Sequence, residues 1–141
     1  MKKKIVYVAG CFDLFHKGHV NLLKEASKFG NVIIGLLTDN AVKSFKRQPI
    51  NVYEERFAVL NSIKYVHSIT PQKTLDYYDN LIKIKPEFVV HGNDWKTGIQ
   101  SNTRSKVIKI INNWNGTLIE PNYTKNISTS KIIEKIKTLD K

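Results

Sequence analysis

The chain has 141 residues, of which 41% are hydrophobic and 25% charged, and its formal net charge is +11. This length leaves room for one core rather than two, no apolar run approaches the roughly 20 residues that cross a bilayer, and the lone Cys11 excludes an internal disulfide. We therefore expect a single domain over residues 1–141 that stays in the cytoplasm, has no membrane segment or structural metal, and favours anionic partners.

Short apolar runs alternate with segments of helical period along the chain. In chain order we predict a strand at residues 4–9, a helix at 19–29, a strand at 31–37, a helix at 53–62, a strand at 65–69, a helix at 75–85, a strand at 87–91, a helix at 102–114, a strand at 117–120 and a helix at 128–139. Asn51 is the predicted N-cap of the second helix, and Asn115 with Gly116 is the predicted stop after the fourth. This alternation predicts an α/β fold, a doubly wound and mainly parallel five-stranded sheet with helices on both faces.

The loop after the first predicted strand carries two histidines, His16 and His19, on either side of Gly18 and next to a helix start. In sheets of this class, ligands bind at the carboxyl ends of the strands. Free backbone N–H groups at a helix start favour an anion, and imidazole donors add directed hydrogen bonds to phosphate oxygens. Two alternatives stay open at this point: the pair only caps the helix, or it ligates a metal ion.

Hydroxyl side chains cluster before the last predicted helix. Thr124, Ser128 and Thr129 can cap that helix and can also face a phosphate chain, as in other anion sites built on helix termini. The alternative is that Ser128 serves only as the N-cap. The sequence therefore predicts two anion-binding segments at the same edge of the sheet.

Three segments together resemble motifs of the cytidylyltransferase family, which belongs to the larger nucleotidylyltransferase superfamily. Residues 10–19 (GCFDLFHKGH) resemble the HxGH loop, residues 91–95 (HGNDW) the GDDW segment, and residues 123–130 (YTKNISTS) the RTEGISTT stretch. Each falls on a predicted strand-to-helix loop, and the resemblance runs from Val6 to Ile136. It implies a Rossmann-like nucleotidylyltransferase fold. The HxGH loop by itself indicates the superfamily and leaves adenylyltransferases open.

The resemblance also implies roles for individual residues. His16 and His19 would hold the α- and β-phosphates, and Lys46 would close over the triphosphate, with Arg47 as the second choice for that cation. The residues implied at the nucleotide are Gly10, Cys11, Phe12, Gly18, Asp94, Thr124, Ile127, Ser128 and Thr129. The residues implied at the second substrate are Asp13, Lys64 and Tyr123. Mg²⁺ would be held mainly by phosphate oxygens of CTP and by water, with no metal site on the protein.

This chain departs from the family pattern at several positions. Tyr123 stands where glycerol-phosphate and choline-phosphate enzymes carry an arginine, which removes a charge-assisted contact to phosphate. Lys64 replaces another arginine and keeps the charge without the bidentate fork. Asn126 replaces a glycine, and asparagine tolerates positive φ. Asn93 replaces the first acid of the GDDW segment. The departure at Tyr123 leaves the identity of the acceptor open.

The activity that the resemblance implies is transfer of a cytidylyl group from CTP to a small phosphorylated alcohol or a phosphonate, with release of pyrophosphate. It leaves open 2-aminoethylphosphonate, glycerol 3-phosphate, phosphocholine and phosphoethanolamine as acceptors, and it suggests a homodimer. The alternatives are an adenylyltransferase on the same fold and a non-catalytic basic module that binds nucleic acid. A nucleic-acid module would leave His16, His19 and the hydroxyl side chains unexplained, so we expect no nucleic-acid or membrane partner.

Overall fold

The described part of the chain is built around one parallel sheet. The computed structural model describes residues 3–122 and 124–139. The strands are β1 (Ile5–Gly10), β2 (Asn31–Leu37), β3 (Ser68–Gln72), β4 (Phe88–Val90) and β5 (Thr117–Ile119). Their order is β3-β2-β1-β4-β5, and every neighbouring pair is parallel. Because the winding reverses at β1, the sheet is doubly wound, and the predicted fold class is confirmed.

Six α-helices connect or flank these strands in the described residues. They are α1 (Lys17–Ser27), α2 (Asp39–Lys43), α3 (Tyr53–Asn61), α4 (Tyr78–Ile84), α5 (Ser101–Ile111) and α6 (Thr129–Thr138), with short 3-10 turns at Asn93–Trp95 and Asn112–Trp114. Among them no helix has the length and apolar character that a membrane crossing requires. The short α2 was not predicted, because its five residues are too few to show a helical period.

The predicted boundaries differ from the structure in two informative places. The strand predicted at residues 65–69 lies at Ser68–Gln72, where it pairs with β2 at the edge of the sheet. Tyr65 and Val66 precede it and pack on the core from a turn, so their apolar character reflects burial rather than strand pairing. Pro71 made the true strand hard to recognise, although an edge strand tolerates proline.

A second correction concerns the start of α3. The N-cap is Val52, which makes no side-chain capping bond, and not Asn51 as predicted. The predicted stop before β5 is confirmed, because Asn115 adopts the left-handed conformation with φ of 60°. A φ of this sign suits asparagine and glycine, which explains why this boundary was readable from the sequence.

Alternate residues of β1 face two separate cores, as the period of a strand requires. Val6 and Val8 pack with Leu23 of α1 and Leu60 of α3 on one face, while Tyr7 joins a cluster from α4 and α5 on the other. The helices thus cover both faces. Since the sheet is buried on both sides, its carboxyl edge is left as the place where loops and ligand can meet.

Candidate functional site

A cavity of about 500 Å³ opens at the carboxyl edge of the sheet. It brings together most of the site residues that the sequence predicted, although they come from four separate stretches of the chain. The predicted residues that line it are Gly10, Cys11, Phe12, Asp13, His16, Gly18, His19, Lys46, Asp94, Thr124, Ile127, Ser128 and Thr129. Tyr123, predicted at the second substrate, lies outside the described residues.

Lys64 is the predicted substrate residue that the structure does not bring to this cavity. It is exposed, and its Nζ lies 5.3 Å from the centroid of the Tyr65 ring. Lys64 precedes β3, so it lies near the amino end of a parallel strand, whereas the cavity is at the carboxyl ends. Within one chain, a contact between Lys64 and a substrate in the cavity is therefore not made.

The first loop (residues 10–19) has an unusual backbone. Phe12 and Leu14 adopt φ values of 52° and 48°, a left-handed conformation that costs free energy for residues other than glycine. The Phe12 ring packs tightly over Gly10, where an added Cβ would lie 2.9 Å from the ring atom Cε2. Strain of this kind persists only where the surroundings hold it, and it frequently marks a functional loop.

The two histidines cap α1 with one ring nitrogen each. The backbone N–H of Gly18 donates to Nδ1 of His16 at 3.0 Å, and the backbone N–H of His16 donates to Nδ1 of His19 at 3.2 Å. Because each Nδ1 accepts, the proton of the neutral ring lies on Nε2. The capping interpretation of these histidines is thus confirmed, and it is compatible with ligand binding because each Nε2–H remains available.

Both imidazoles are held in the neutral form. Burial lowers the pKa of His19 to about 3, and the nearby His16 and Lys46 add to this effect while Asp13 opposes it. Burial also lowers the pKa of His16. The two rings stack with centroids 3.8 Å apart, an arrangement that two imidazolium ions would disfavour. At neutral pH the pair therefore presents two uncharged N–H donors.

Gly18 has a steric role in this arrangement. An ideal Cβ at this position would lie 2.9 Å from Cε1 and 3.1 Å from Nδ1 of His16. Side-chain contacts this short force the neighbouring group to move, so Gly18 lets the His16 ring lie against the backbone of α1.

Asp13 is occupied by the protein itself. Its carboxylate, 1% exposed, accepts from Arg47 Nη1 at 3.0 Å and from the backbone N–H groups of Ile50 and Asn51 at 2.7 and 2.9 Å. Burial alone would raise the pKa of Asp13, but these bonds outweigh it and lower the pKa. Asp13 thus ties the first loop to the segment before α3, and its predicted contact with the second substrate stays a prediction.

Arg56 was not predicted at the site, yet it organises the carboxyl ends of two strands. The side chain is 1% exposed and donates to the carbonyl oxygens of Cys11, Leu37 and Asn51 at 2.8 to 2.9 Å. Its remaining nitrogen forms an ion pair with Asp39 at 2.7 Å. The signs of this role in the sequence were a charged residue on the otherwise apolar face of a short helix and the likeness of residues 53–56 (YEER) to the YExR helix start of the family.

The hydroxyl stretch (residues 124–130) lies directly against the first loop. Thr129 Oγ1 donates to the carbonyl oxygen of Asp13 at 2.8 Å, and Asn21 Nδ2 donates to Thr124 Oγ1 at 3.2 Å. Ser128 is the N-cap of α6 and accepts from the backbone of the helix, as the alternative interpretation held. Asn126 has φ of 68°, so it occupies the left-handed turn that glycine takes in the family motif. The two predicted anion-binding segments are therefore in contact.

Lys46 and Arg47, the two candidates for the mobile cation, differ in their surroundings. Arg47 donates to Asp13 and to the backbone carbonyl of Gln48. Lys46 is exposed, and its Nζ lies 5.4 Å from the centroid of the Phe45 ring at the cavity rim. The structure therefore favours Lys46 as the cation that can reach a ligand, since Arg47 is engaged in holding the loop.

The β4 loop (residues 91–95) also lines the cavity. His91 stacks on Trp95 with centroids 3.7 Å apart and ring planes at 5°, and Trp95 Nε1 donates to Glu120 at 2.7 Å. Arg104 holds the same carboxylate with two bonds of 2.9 and 3.0 Å, which, with Trp95, lower the pKa of Glu120. Asp94 lines the cavity with its side chain more than half exposed. The predicted aspartate lines the cavity, and the predicted tryptophan contacts it through His91, while the stacked histidine and its support were missed.

Within residues 3–122 and 124–139, no group of three or more His, Cys, Asp or Glu side chains is placed to hold a metal ion.

Comparison with known proteins agrees with this geometry. A family model described as cytidylyltransferase-like matches residues 7–135. The chain belongs to this family. The match makes it a nucleotidyltransferase-like domain, and it includes the first loop, the β4 loop and the hydroxyl stretch.

Relatives of known sequence carry the name bifunctional protein HldE. The protein from Sulfurimonas denitrificans is 33% identical over 139 residues, and that from Haemophilus influenzae (strain PittGG) is 36% identical over 143 residues. These alignments cover 96% and 97% of this chain but only 27% and 28% of the relatives. The chain thus spans little more than a quarter of the length of these relatives.

Solved structures support the fold. The lipopolysaccharide core biosynthesis protein from Thermoplasma volcanium superposes with a TM-score of 0.74 at 23% identity, covering 87% of this chain and 99% of that one. Pantothenate synthetase from Thermus thermophilus superposes with a TM-score of 0.61 at 10% identity, covering 95% of this chain and 65% of its own. At these identities the likeness extends to the fold alone.

Proposed function

We propose that this chain transfers a nucleotidyl group from a nucleoside triphosphate to a small phosphorylated acceptor and releases pyrophosphate. The observation that carries the proposal is the meeting of two helix starts at one cavity. His16 and His19 accept backbone N–H groups through Nδ1, which leaves each Nε2–H to donate to a ligand, and Thr129 donates to the Asp13 carbonyl oxygen of the same loop at 2.8 Å. A triphosphate is a ligand that suits the two neutral imidazole N–H donors beside these helix starts.

The proposed reaction is direct in-line attack by an anionic oxygen of the acceptor on the α-phosphorus. The attacking oxygen is ionised at neutral pH, so no general base is needed and no covalent enzyme intermediate forms. Catalysis then consists of positioning and of donors that meet the charge gathering on the α-phosphate. His16 and His19 supply those donors, and Lys46 supports the departing pyrophosphate.

Mg²⁺ is proposed as the cofactor, carried on the triphosphate. Asp94 has an exposed carboxylate at the cavity, whereas the Asp13 carboxylate is engaged by Arg47 and two backbone N–H groups. A hard cation that keeps most of its water and phosphate ligands matches such a sparse set of carboxylates. The ion would neutralise phosphate charge, and the protein side chains would orient the chain of phosphates.

For the nucleotide we propose ATP as the donor, with CTP as the competing hypothesis. The cytidylyl interpretation rested on the GDDW and RTEGISTT segments, and this chain departs from both at Asn93 and Tyr123. Relatives at 33% to 39% identity carry the name HldE, which does not name a cytidylyltransferase. The description of the matching family as cytidylyltransferase-like is the observation that favours CTP.

The acceptor, the oligomeric state and the compartment stay predictions. The cavity offers Lys46, hydroxyls and apolar walls, a combination suited to a small molecule with a phosphate or phosphonate group rather than to a polymer. A cytoplasmic location, a homodimer and the lack of a nucleic-acid partner follow only from the family resemblance and from composition.

Pyrophosphate release is the measurement that tests this proposal. The protein is assayed with Mg²⁺ and either ATP or CTP, against a panel of 2-aminoethylphosphonate, glycerol 3-phosphate, phosphocholine, phosphoethanolamine and sugar 1-phosphates. We expect acceptor-dependent release with ATP and much less with CTP. The control is His67→Ala, which removes an exposed histidine outside the cavity lining. Pyrophosphate release with CTP and not with ATP would make CTP the nucleotide donor in place of ATP. Release with neither nucleotide for any acceptor of the panel would overturn the proposed function.

A further inference from the structure

His91 is a cavity-lining side chain that the proposed reaction does not use. It follows β4 directly, and its ring lies flat on Trp95, which is itself 1% exposed and held by Glu120. Such stacking on a buried and hydrogen-bonded indole leaves the imidazole little freedom to rotate. The position and orientation of its two nitrogens are therefore set by the fold.

The hydrogen-bond partner of Nδ1 determines what the other nitrogen can offer. Nδ1 lies 2.8 Å from the carbonyl oxygen of Gly92, and a carbonyl only accepts, so Nδ1 carries the proton. The Asp94 carboxylate is 3.8 Å away, beyond hydrogen-bond distance. Burial lowers the pKa of His91, against smaller opposing effects of Gly92, Asp94 and Glu120, so the ring is neutral at pH 7. Nε2 consequently bears a lone pair.

The Nε2 lone pair is not enclosed by the described residues. His91 Nε2 has no protein partner among the described residues, and no fully buried side-chain nitrogen or oxygen there lacks one. Nε2 is therefore not fully buried, and His91 is one of the residues that line the cavity. A neutral nitrogen acceptor would repel a phosphate oxygen but would accept from an N–H donor. Exocyclic amino groups provide such a donor on adenine and cytosine, whereas hypoxanthine and uracil present an acceptor oxygen at the same place.

We propose that His91 is a specificity-determining residue whose Nε2 accepts a hydrogen bond from the exocyclic amino group of the bound base. The inference rests on the proposed nucleotidyl transfer. It assigns His91 to the base of the nucleotide, whereas His16 and His19 hold the phosphates. It selects amino-bearing bases over oxo-bearing bases. It does not by itself separate ATP from CTP.

The test compares kcat/KM for amino and oxo nucleotides, ATP against ITP and CTP against UTP, in the wild-type protein and in His91→Phe. Phenylalanine keeps the stacked ring on Trp95 and removes both nitrogens. We expect kcat/KM of the wild-type protein to be about tenfold or more higher for the amino nucleotide. In the oxo analogue the exocyclic oxygen and His91 Nε2 are both acceptors, so no hydrogen bond forms between them. In His91→Phe this ratio should fall to near one, mainly through slower turnover of the amino nucleotide.

Three further measurements keep the outcomes distinct. Turnover of none of the four nucleotides would overturn the proposed function, whereas turnover with an unchanged ratio in folded His91→Phe would overturn only the role of His91. If His91→Phe does not fold, His91→Gln replaces it, because an amide that presents either oxygen or N–H should also narrow the ratio. Collapse of the ratio in Asp94→Asn but not at His91 would assign the base contact to Asp94 instead. His67→Phe, a surface histidine, is the matched control and should leave the ratio as it is.

Discussion

The first loop and the β4 loop place histidines at one cavity in opposite tautomers. In the first loop, Nδ1 of His16 and of His19 accepts a backbone N–H, so each Nε2 is a donor. In the β4 loop, Nδ1 of His91 donates to the carbonyl oxygen of Gly92, so Nε2 is an acceptor. The comparison teaches that the backbone partner of one ring nitrogen decides which ligand the other nitrogen can bind.

The two loops are also supported differently. The first loop is held by charged groups, with Asp13 bonded to Arg47 and Arg56 bonded to carbonyls at the ends of β1 and β2. The β4 loop rests on aromatic stacking between His91 and Trp95. Positive charge and aligned N–H donors near the first loop suit phosphates, while a flat aromatic wall with one acceptor suits a base. Substitutions in the two loops should therefore affect turnover in different ways.

Removing a donor from the first loop should have the largest effect. We expect His19→Ala to lower kcat by about 10² to 10³-fold, as for the loss of one preorganised donor at a developing charge. The loss should be the same for ATP and ITP, in contrast to the effect of His91→Phe. Steady-state pyrophosphate release measures it, with circular dichroism to verify folding. Full turnover by a folded His19→Ala protein would remove these histidines from the mechanism.

Substitution of Lys46 should affect turnover, whereas substitution of Arg47 should affect stability. We expect Lys46→Ala to lower turnover by about 10 to 10²-fold with an unchanged melting temperature, because its ammonium group is exposed and available to the triphosphate. Arg47→Ala should instead lower the free energy of unfolding by about 1–3 kcal/mol through loss of its bond to the buried Asp13 carboxylate. Equal effects of both changes on turnover and on stability would contradict this assignment.

A single added methyl group should disturb the first loop alone. In Gly18→Ala the new Cβ would lie 2.9 Å from Cε1 of His16, so the ring must shift away from its capping position. We expect kcat/KM to fall by about tenfold for every nucleotide, since small displacements of a positioning group are costly. Lys17→Ala, on the same turn and exposed, is the matched control. An unchanged kcat/KM in Gly18→Ala would show that the position of the His16 ring is not critical.

The smallest expected effect concerns the stability of the unliganded protein at mildly acid pH. The folded-state pKa of His19 is about 3 and an unfolded histidine titrates near 6.5, so the unfolded state binds the proton first as the pH falls. The stabilisation is complete above about pH 6.5 and is lost progressively toward pH 3, at about 1.4 kcal/mol per pH unit for one such histidine. His16 and His91, whose pKa values are also lowered, act in the same direction.

Urea unfolding at pH 7.0 and 5.5 measures this loss. We expect the free energy of unfolding to fall by about 1 kcal/mol or more on going to pH 5.5, with a smaller loss in His19→Gln. Asp13 contributes nothing over this range, since its lowered pKa lies below it. Stability that does not change between the two pH values would indicate that the folded protein binds as many protons over this range as the unfolded chain, so that the histidine pKa values are not lowered.

Local sequence determined a great deal of this protein. The alternation of apolar runs and helical periods was enough for the doubly wound fold, because strands covered on both faces have a distinctive composition. Motif spacing was enough to place His16, His19, Ser128 and Thr129 at one edge, because the carboxyl ends of parallel strands necessarily meet there. Asn115, followed by Gly116, was readable as a left-handed stop from residue type, and Asn126 was readable as a left-handed turn because it replaces a glycine of the family motif.

Tertiary structure decided what these groups can do. It bonded Arg47 to Asp13 while leaving Lys46 exposed, and it placed Lys64 near the amino end of β3, away from the cavity. It also buried Arg56 at the carboxyl ends of the first two strands. It also set the opposite tautomers of His19 and His91. The reason is physical: the proton on an imidazole follows the donor or acceptor that the folded backbone places beside it, and burial fixes its charge. In an unfolded chain the imidazole has neither this fixed backbone partner nor this burial.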